Sequence, residues 1–311
     1  MDGQLNTVDR RRKSCWTRFS SRWTGSVLAE EALTYAADLS RPTGASLLLV
    51  RAAMSHTLPG VDARERRSGA IAEAEDYLVR TANALRERGY NVQTLAPYGR
   101  PAQSIIETAR LTDANLIVLT THGRTGPGRL VFGSVAEAVV SNSSVPVLIA
   151  RAWLPPHRQP FLPEQPTIIV PLDGSAFAEA ALGPALALAD DLGAALVLLR
   201  AAGSDAPTSG AWEYLSSVQA RLFDDAPMID VVTQVSDSDP SSAIDAAVVD
   251  NNASFVLMAT HGRGGLMRSV TGSVAGRVVN QGRTPVVLVR PERRTTEGFR
   301  GSEAEVEVHA V

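Results

Sequence analysis

The sequence has one cysteine, Cys15, among 311 residues, and it has no apolar run of the about 20 residues that cross a bilayer. A lone cysteine excludes an internal disulfide and is typical of a reducing compartment. The opening residues lack the apolar segment of a secretory signal. The formal net charge is −3, so the chain has no overall positive potential that would attract nucleic acid or an anionic membrane. We therefore expect a cytoplasmic protein that binds neither.

Lysine is almost absent as well. Lys13 is the only one, so there is no Walker-type loop, GxxxxGK[ST], in which a lysine after the glycines contacts phosphate. The five histidines and the cysteine have no metal-ligand spacing. No GxSxG or other nucleophile–base set is present. The sequence therefore predicts neither a metal site nor a catalytic residue.

The sequence does contain an internal repeat. Residues 260–290 match residues 121–151 at sixteen of thirty-one aligned positions, and residues 174–201 align with residues 25–52. The copies are offset by 149 residues at the front and by 139 at the back, so the second copy is about ten residues shorter in its middle. Two long units indicate a duplicated domain rather than a solenoid.

Each copy alternates short apolar runs with helical stretches, which is the pattern of parallel βαβ units. Ser175 stands where the N-cap of a helix belongs. In the second copy we predict strands at 167–172, 194–201, 229–235, 254–259 and 284–290, and helices at 176–191, 211–222, 240–251 and 273–281. The predicted fold class is α/β, with two tandem, five-stranded, parallel-sheet, Rossmann-like domains.

The domain boundaries follow from composition. Five prolines fall within residues 152–166, a density that prevents a helix and favours a semi-rigid spacer. We therefore place the first domain at 1–151, a proline-rich linker at 152–166 and the second domain at 167–291. Residues 292–311 are polar and charged, which predicts a disordered tail.

The densest functional signal is the loop after the fourth predicted strand of the second copy. Ligands of open α/β sheets bind beyond the carboxyl ends of the strands, and a helix N-terminus suits phosphate oxygens. The candidates in this loop are Met258, His261, Gly262, Arg263, Gly272, Ser273 and Val274. Their counterparts in the first copy are Gly123, Arg124, Gly133, Ser134 and Val135. Tight turns and a helix cap would explain the same residues without a ligand, and that alternative stays open.

A second element follows the first predicted strand of the second copy, in the run Pro171, Leu172, Asp173, Gly174 and Ser175. The Asp173 carboxylate can accept hydrogen bonds from ribose hydroxyls or an adenine amine. An Asp-Gly turn followed by a helix cap is the alternative for the same residues.

These motifs resemble the universal stress protein domain. The resemblance rests on VPLDGS at the first strand, on THGR-x₈-GSVA after the fourth and on a closing PVxLxR strand, and it covers roughly residues 25–151 and 166–291. It implies a parallel sheet of the adenine nucleotide alpha-hydrolase type that tends to pair through its last strand. It also implies ATP binding, with or without Mg²⁺.

The family's ATP-binding pattern, G-x₂-G-x₉-G-[ST] plus an aspartate, carries over residue by residue. Its second and third glycines and its hydroxyl match Gly262, Gly272 and Ser273, or Gly123, Gly133 and Ser134 in the first copy. Its aspartate matches Asp173, and its adenine contact falls near Ala201, or Ala52 in the first copy.

Two departures separate this chain from the pattern. The first glycine is replaced by Thr120 in one copy and by Ala259 in the other. The first copy also reads SSRWTGS at 20–26 where VPLDGS would stand, so it lacks the aspartate. Arginines and tryptophan precede this point, so we expect a missing or degenerate first strand and a less stable first domain.

The sequence therefore predicts a regulatory stress-response protein that binds an adenine nucleotide, mainly in its second domain. The alternative is an interaction module of the same fold that acts through dimerisation or partner binding without a ligand. An enzyme is the third reading, but without a general base or nucleophile we expect at most slow ATP hydrolysis. An intramolecular pseudo-dimer of the two domains is expected, and a homodimer of the whole chain is a further expectation.

Overall fold

A computed structural model of the chain describes residues 15–19, 27–54, 62–121, 133–151, 162–203, 208–260, 274–282 and 284–291. Within these ranges, none of the helices combines the length and the hydropathy that spanning a membrane requires.

Strands and helices alternate along both halves of the chain. The first domain contains β1 (Cys15–Phe19), α1 (Val27–Thr43), β2 (Ser46–Val50), α2 (Ala63–Arg86), β3 (Val92–Leu95), α3 (Pro101–Leu111), β4 (Leu116–Thr121), α4 (Ser134–Asn142) and β5 (Val147–Arg151). The second domain contains β6 (Thr167–Pro171), α5 (Ala176–Glu179), α6 (Leu182–Leu192), β7 (Ala195–Ala201), α7 (Thr208–Asp225), β8 (Val231–Ser236), α8 (Pro240–Asp250), β9 (Phe255–Ala259), α9 (Val274–Gln281) and β10 (Val286–Val289).

All ten strands belong to one sheet, in the order β3-β2-β1-β4-β5-β10-β9-β6-β7-β8. Neighbouring strands within each domain are parallel, whereas β5 and β10 pair antiparallel at the junction between the domains. Each half has the order 3-2-1-4-5 of a Rossmann-like sheet. The predicted α/β class with two tandem domains is confirmed.

The junction has the symmetry of a two-fold dimer. Leu148 pairs with Val287, and Ile149 pairs with Val286. Leu148 and Val287 are equivalent under the 139-residue offset of the repeat, so the pseudo-two-fold axis passes through this pair. The Arg290 guanidinium also donates to the carbonyl of Ser141 in the first domain, at 2.8 Å. The expected pairing through the last strands is therefore present, within one chain.

The first strand of the first domain, expected to be missing or degenerate, is present, so the first of these alternatives is wrong. CWTRF forms β1, which pairs with β2 over five residues and with β4 over three. It occupies the same central position as β6 in the second domain. Only its residue types are unusual for a central strand. The lower stability that we expected of the first domain stays a prediction.

The helix predicted at 176–191 is two helices, α5 and α6, separated by Ala180 and Ala181. Pro184 lies in the first turn of α6, where its missing N–H is tolerated, but it could not donate to the Ala180 carbonyl of a continuous helix. The predicted cap is confirmed, because the Ser175 hydroxyl accepts a hydrogen bond from the Ala178 N–H at 3.1 Å.

The end of the linker is attached to the second domain. Residues 162–166 have no regular secondary structure, and the buried Pro166 accepts a hydrogen bond from the Ala195 N–H at 2.9 Å. The rest of the predicted linker and the predicted tail lie outside the described residues.

The hydrophobic core continues across the junction on both faces of the sheet. Leu148 and Val287 belong to the cluster on one face, and Ile149 and Val286 to the cluster on the other. Each cluster contains residues of both domains, from strands and from covering helices. Because neither face divides at the domain boundary, the two domains are expected to unfold together.

Leu148→Ala tests this coupling. Leu148 has no exposed surface, so the substitution should lower the free energy of unfolding by about 2–5 kcal/mol. Peptides from β2 and from β7 should lose hydrogen-exchange protection at the same denaturant concentration. Val249→Ala is the control, since a side chain that is 77% exposed should change stability by less than about 0.5 kcal/mol. Loss of protection in β2 while β7 remains protected would contradict a shared core.

Candidate functional site

A cavity of about 360 Å³ lies at the carboxyl ends of the central strands of the second domain. It brings together six of the residues that the sequence identified as site candidates. These six are Pro171, Leu172, Asp173, Ala201, Met258 and Val274. The lining also contains Phe177, Ala178, Leu199, Pro240, Ile244, Ala259, Thr260 and Ala275.

The cavity forms because β6 and β9 separate near their carboxyl ends. The two strands pair only at Ile168 and Ile169 of β6, opposite Phe255 and Val256. Farther along, the Leu172 N–H donates to the Leu199 carbonyl, whereas the Thr260 N–H donates to the Val289 carbonyl, both at 2.8 Å. The two chain segments are thus bonded to neighbours on opposite sides, β7 and β10. This is the topological switch point at which open α/β sheets bind ligands.

Most of the cavity wall is apolar. Phe177 comes from α5, Ile244 from α8 and Ala275 from α9, so helices on both faces of the sheet close over the strand ends. Asp173 and the buried Thr260 are the polar side chains among the described lining residues. An apolar cavity with few polar groups is typical of a site for a small organic ligand.

Asp173 lies in a tight turn just after β6. Its Oδ1 accepts hydrogen bonds from the Ser175 N–H at 2.9 Å and from the Ser175 hydroxyl at 2.5 Å. Partial burial raises the pKa of the Asp173 carboxyl, but the hydrogen bonds from Ser175 and the charge of Arg200 outweigh it, so the pKa lies below its ordinary value. The carboxyl is ionised at neutral pH and has acceptor capacity beyond these two bonds.

Both sequence interpretations of this element therefore have structural counterparts. The turn and the helix cap exist as the alternative described them. Asp173 also lines the cavity, so a structural role in the turn leaves it available to a ligand.

Gly174 lets an arginine approach this turn closely. Its φ is +86°, which favours glycine, and a Cβ there would collide with the guanidinium of Arg200. Arg200 is the penultimate residue of β7 and immediately precedes Ala201, which lines the cavity. The guanidinium thus lies directly beside the turn that carries Asp173.

Arg200 is held by a short network of side chains. Its guanidinium carbon lies 4.8 Å from the ring centroid of Tyr214, a cation–π contact. The Tyr214 hydroxyl donates to Glu179 at 2.9 Å, and Arg221 forms an ion pair with the other carboxylate oxygen of Glu179, also at 2.9 Å. Burial, together with the hydrogen bond to Glu179, raises the pKa of the Tyr214 hydroxyl, so it stays protonated and remains the donor.

The other predicted site residues are placed only in part. His261, Gly262, Arg263, Gly272 and Ser273 lie outside the described residues, as do Gly123 and Arg124. In the first domain, Gly133 is the N-cap of α4, and Ser134 and Val135 begin that helix, as the motif predicted.

Sequence reasoning missed several residues of the site. Phe177, Pro240 and Ile244 line the cavity from helices, at positions that no motif had marked. Arg200 had a usable signal, because the aligned front halves of the repeat place Arg51 at the same position. Among the described residues, no group of three or more histidine, cysteine, aspartate or glutamate side chains could hold a metal ion.

Comparison with known proteins agrees with this architecture. The chain matches the universal stress protein family over residues 24–151 and again over residues 166–290. A universal stress protein of Methanocaldococcus jannaschii is 29% identical over 151 residues, which cover 47% of this chain and 89% of the relative. Another, from Mycolicibacterium smegmatis, is 26% identical over 239 residues, which cover 73% of this chain and 78% of the relative.

A solved structure gives the same result for the fold. The crystal structure of a universal stress protein from Archaeoglobus fulgidus DSM 4304 aligns with a TM-score of 0.72 at 20% identity, over 90% of this chain and 99% of that chain. The family match covers both copies of the repeat, and the described strands form two Rossmann-like halves. The chain therefore belongs to the universal stress protein family, as a tandem of two such domains.

Proposed function

We propose that the second domain binds an adenine nucleotide, with ATP as the expected ligand, and that occupancy of this site regulates a stress response. The observation that carries the proposal is the cavity at the carboxyl ends of β6, β7 and β9, with the ionised Asp173 on its wall. The protein would act in the cytoplasm, the compartment that its single cysteine favours.

The parts of an adenine nucleotide correspond to different parts of the cavity. Ala201 ends β7 at the position where the family contacts adenine, and apolar side chains surround it. The Asp173 carboxylate would accept hydrogen bonds from ribose hydroxyls. The N-terminal end of α9, next to Val274, would favour phosphate oxygens through its N–H groups and its dipole. Any Mg²⁺ would enter bound to the phosphates.

We propose regulation rather than catalysis. Asp173 is the only titratable residue among the described residues that line the cavity. Its carboxylate accepts two hydrogen bonds from Ser175 and has a lowered pKa. Both features make it a weak general base. At most slow ATP hydrolysis is expected.

An interaction module without a ligand is the second candidate, and the first domain favours it. Thr120 replaces the first glycine of the motif there, and no aspartate follows the first strand. Because β5 and β10 already cover each other's edges, a homodimer of the chain would need a different surface.

Calorimetric titration of the full chain with ATP and magnesium tests the ligand. Wild-type protein should show saturable binding, and Asp173→Asn should bind at least about tenfold more weakly, because a hydrogen bond to a charged group contributes about 1.5–3 kcal/mol. Asp230→Asn is the control, since this exposed carboxylate lies outside the cavity lining. Absence of saturable binding by the wild-type protein would end the nucleotide proposal.

Filling the cavity distinguishes the two candidates. Ala201→Phe would place a ring in the proposed adenine position, so nucleotide binding should be lost while the circular dichroism spectrum stays unchanged. Ala52→Phe makes the equivalent change in the first domain and should leave binding by the second domain intact. If Ala201→Phe abolishes ATP binding but the stress phenotype survives unchanged, the interaction module is the better description.

A further inference from the structure

An arginine–tyrosine pair recurs at the same position in both domains. The guanidinium carbon of Arg51 lies 4.7 Å from the ring centroid of Tyr77, and that of Arg200 lies 4.8 Å from the ring centroid of Tyr214. Arg51 and Arg200 are equivalent under the 149-residue offset of the repeat, and the tyrosines come from the equivalent helices α2 and α7. The duplicated unit thus holds an arginine over a tyrosine ring at the carboxyl end of its second strand.

The carboxylate that accompanies the arginine differs between the domains. In the first domain, Arg51 forms an ion pair with Glu73 at 3.0 Å, and Glu73 lies one helical turn before Tyr77. The residue one turn before Tyr214 is Gly210, so α7 offers no carboxylate at that position. Among the described residues, no carboxylate oxygen lies within 4 Å of the Arg200 guanidinium.

The Asp173 turn replaces that helical carboxylate in the second domain. Arg200 packs against Gly174 and acts electrostatically on Asp173. The residue of the first copy aligned with Asp173 is Thr24, which carries no charge. The domain with the aspartate therefore lacks the helical glutamate, and the domain with the glutamate lacks the aspartate.

The guanidinium also has little freedom beside the turn. It lies over the Tyr214 ring, and the Tyr214 hydroxyl donates a hydrogen bond to Glu179. Glu179 lies in α5, the helix that Ser175 caps. The turn itself contacts Arg200, and the helix that follows the turn is bonded to Tyr214 through Glu179. Displacing Arg200 would disturb strand, turn and helix together.

We infer that Arg200 is a positioning residue of the nucleotide site: held on Tyr214, it fixes the Asp173–Gly174 turn and keeps the carboxylate ready to accept ribose hydroxyls. The inference rests on the proposed function for its ligand, but the contact between Arg200 and the turn is independent of any ligand.

The inference predicts a dependence on pH. Among the described residues, Arg200 on β7 is the charged group that acts on Asp173, and the adjacent Ser175 supplies the hydrogen bonds. Arg200 lowers the pKa of the Asp173 carboxyl, so its removal should raise that pKa toward the ordinary value. The protonated carboxyl is a poorer acceptor, so the affinity for a ribonucleotide should begin to fall at a higher pH than in the wild type.

Arg200→Gln in the full chain tests the inference, with Arg200→Lys as the conservative variant and Arg51→Gln as the matched control in the first domain. The pKa of Asp173 is measured by carbon NMR without ligand, the resonance being assigned by its loss in Asp173→Asn. Affinities for ATP and for 2′-deoxy-ATP are measured by calorimetry at several pH values.

Arg200→Gln should raise the pKa of Asp173 toward its ordinary value. At neutral pH the carboxyl stays ionised, but ATP binding should still weaken about tenfold because the turn is no longer held, with a smaller loss for 2′-deoxy-ATP. Arg200→Lys should restore the lower pKa in part, because it retains the positive charge but not the guanidinium that contacts the ring and the turn. Arg51→Gln should change neither quantity.

Two results would overturn the inference. One is an unchanged pKa of Asp173 in Arg200→Gln. The other is an equal loss for both nucleotides at every pH, which would place Arg200 on the phosphates. If the wild-type chain binds no nucleotide, the proposed function fails, while the titration of Asp173 still decides whether Arg200 controls the turn.

Discussion

The candidate site exists because two neighbouring strands stop pairing before they end. Once β6 and β9 have formed their two residue pairs, the next backbone donors, those of Leu172 and Thr260, bond to strands on opposite sides. Buried N–H and C=O groups need hydrogen-bond partners. Here the two segments find their partners on strands that lie on opposite sides, so the segments separate. The gap between them is bounded by helices on both faces and by the Asp173 turn. The shape of the site thus follows from which neighbouring strand each backbone N–H bonds to at the switch point.

The sequence predicted the architecture well because most of the strand patterns and the motifs after the fourth strand occur in both copies of the repeat. Two copies with matching order identified the strands, and the Ser175 cap followed from local chemistry. Two details failed for different reasons. The break between α5 and α6 depends on where Pro184 falls within a turn. For β1, we judged CWTRF by its fitness for burial, whereas backbone pairing with two neighbouring strands forms the strand.

The candidate site was predictable only where residues follow a strand directly. Asp173, Ala201 and Met258 stand at strand ends, and the topology alone collects them. Phe177 and Ile244 reach the cavity from helices, so their presence depends on crossing angles and packing that no spacing encodes. Arg200 was visible in the aligned repeats, but its contact with the turn depends on the bare Gly174 and on the ring of Tyr214 from a distant helix.

The antiparallel junction also fixes the direction in which each domain faces. The carboxyl ends of parallel strands lie at the same edge of a sheet. Because β5 and β10 join the two sheets side by side and antiparallel, the carboxyl ends of the two domains lie at opposite edges of the combined sheet. The cavity of the second domain and the Gly133 helix start of the first domain therefore lie at opposite edges of the sheet. Within the described residues, the pairing of β5 with β10 and the two hydrophobic clusters connect the two halves, so a change at one end of the molecule would reach the other through them.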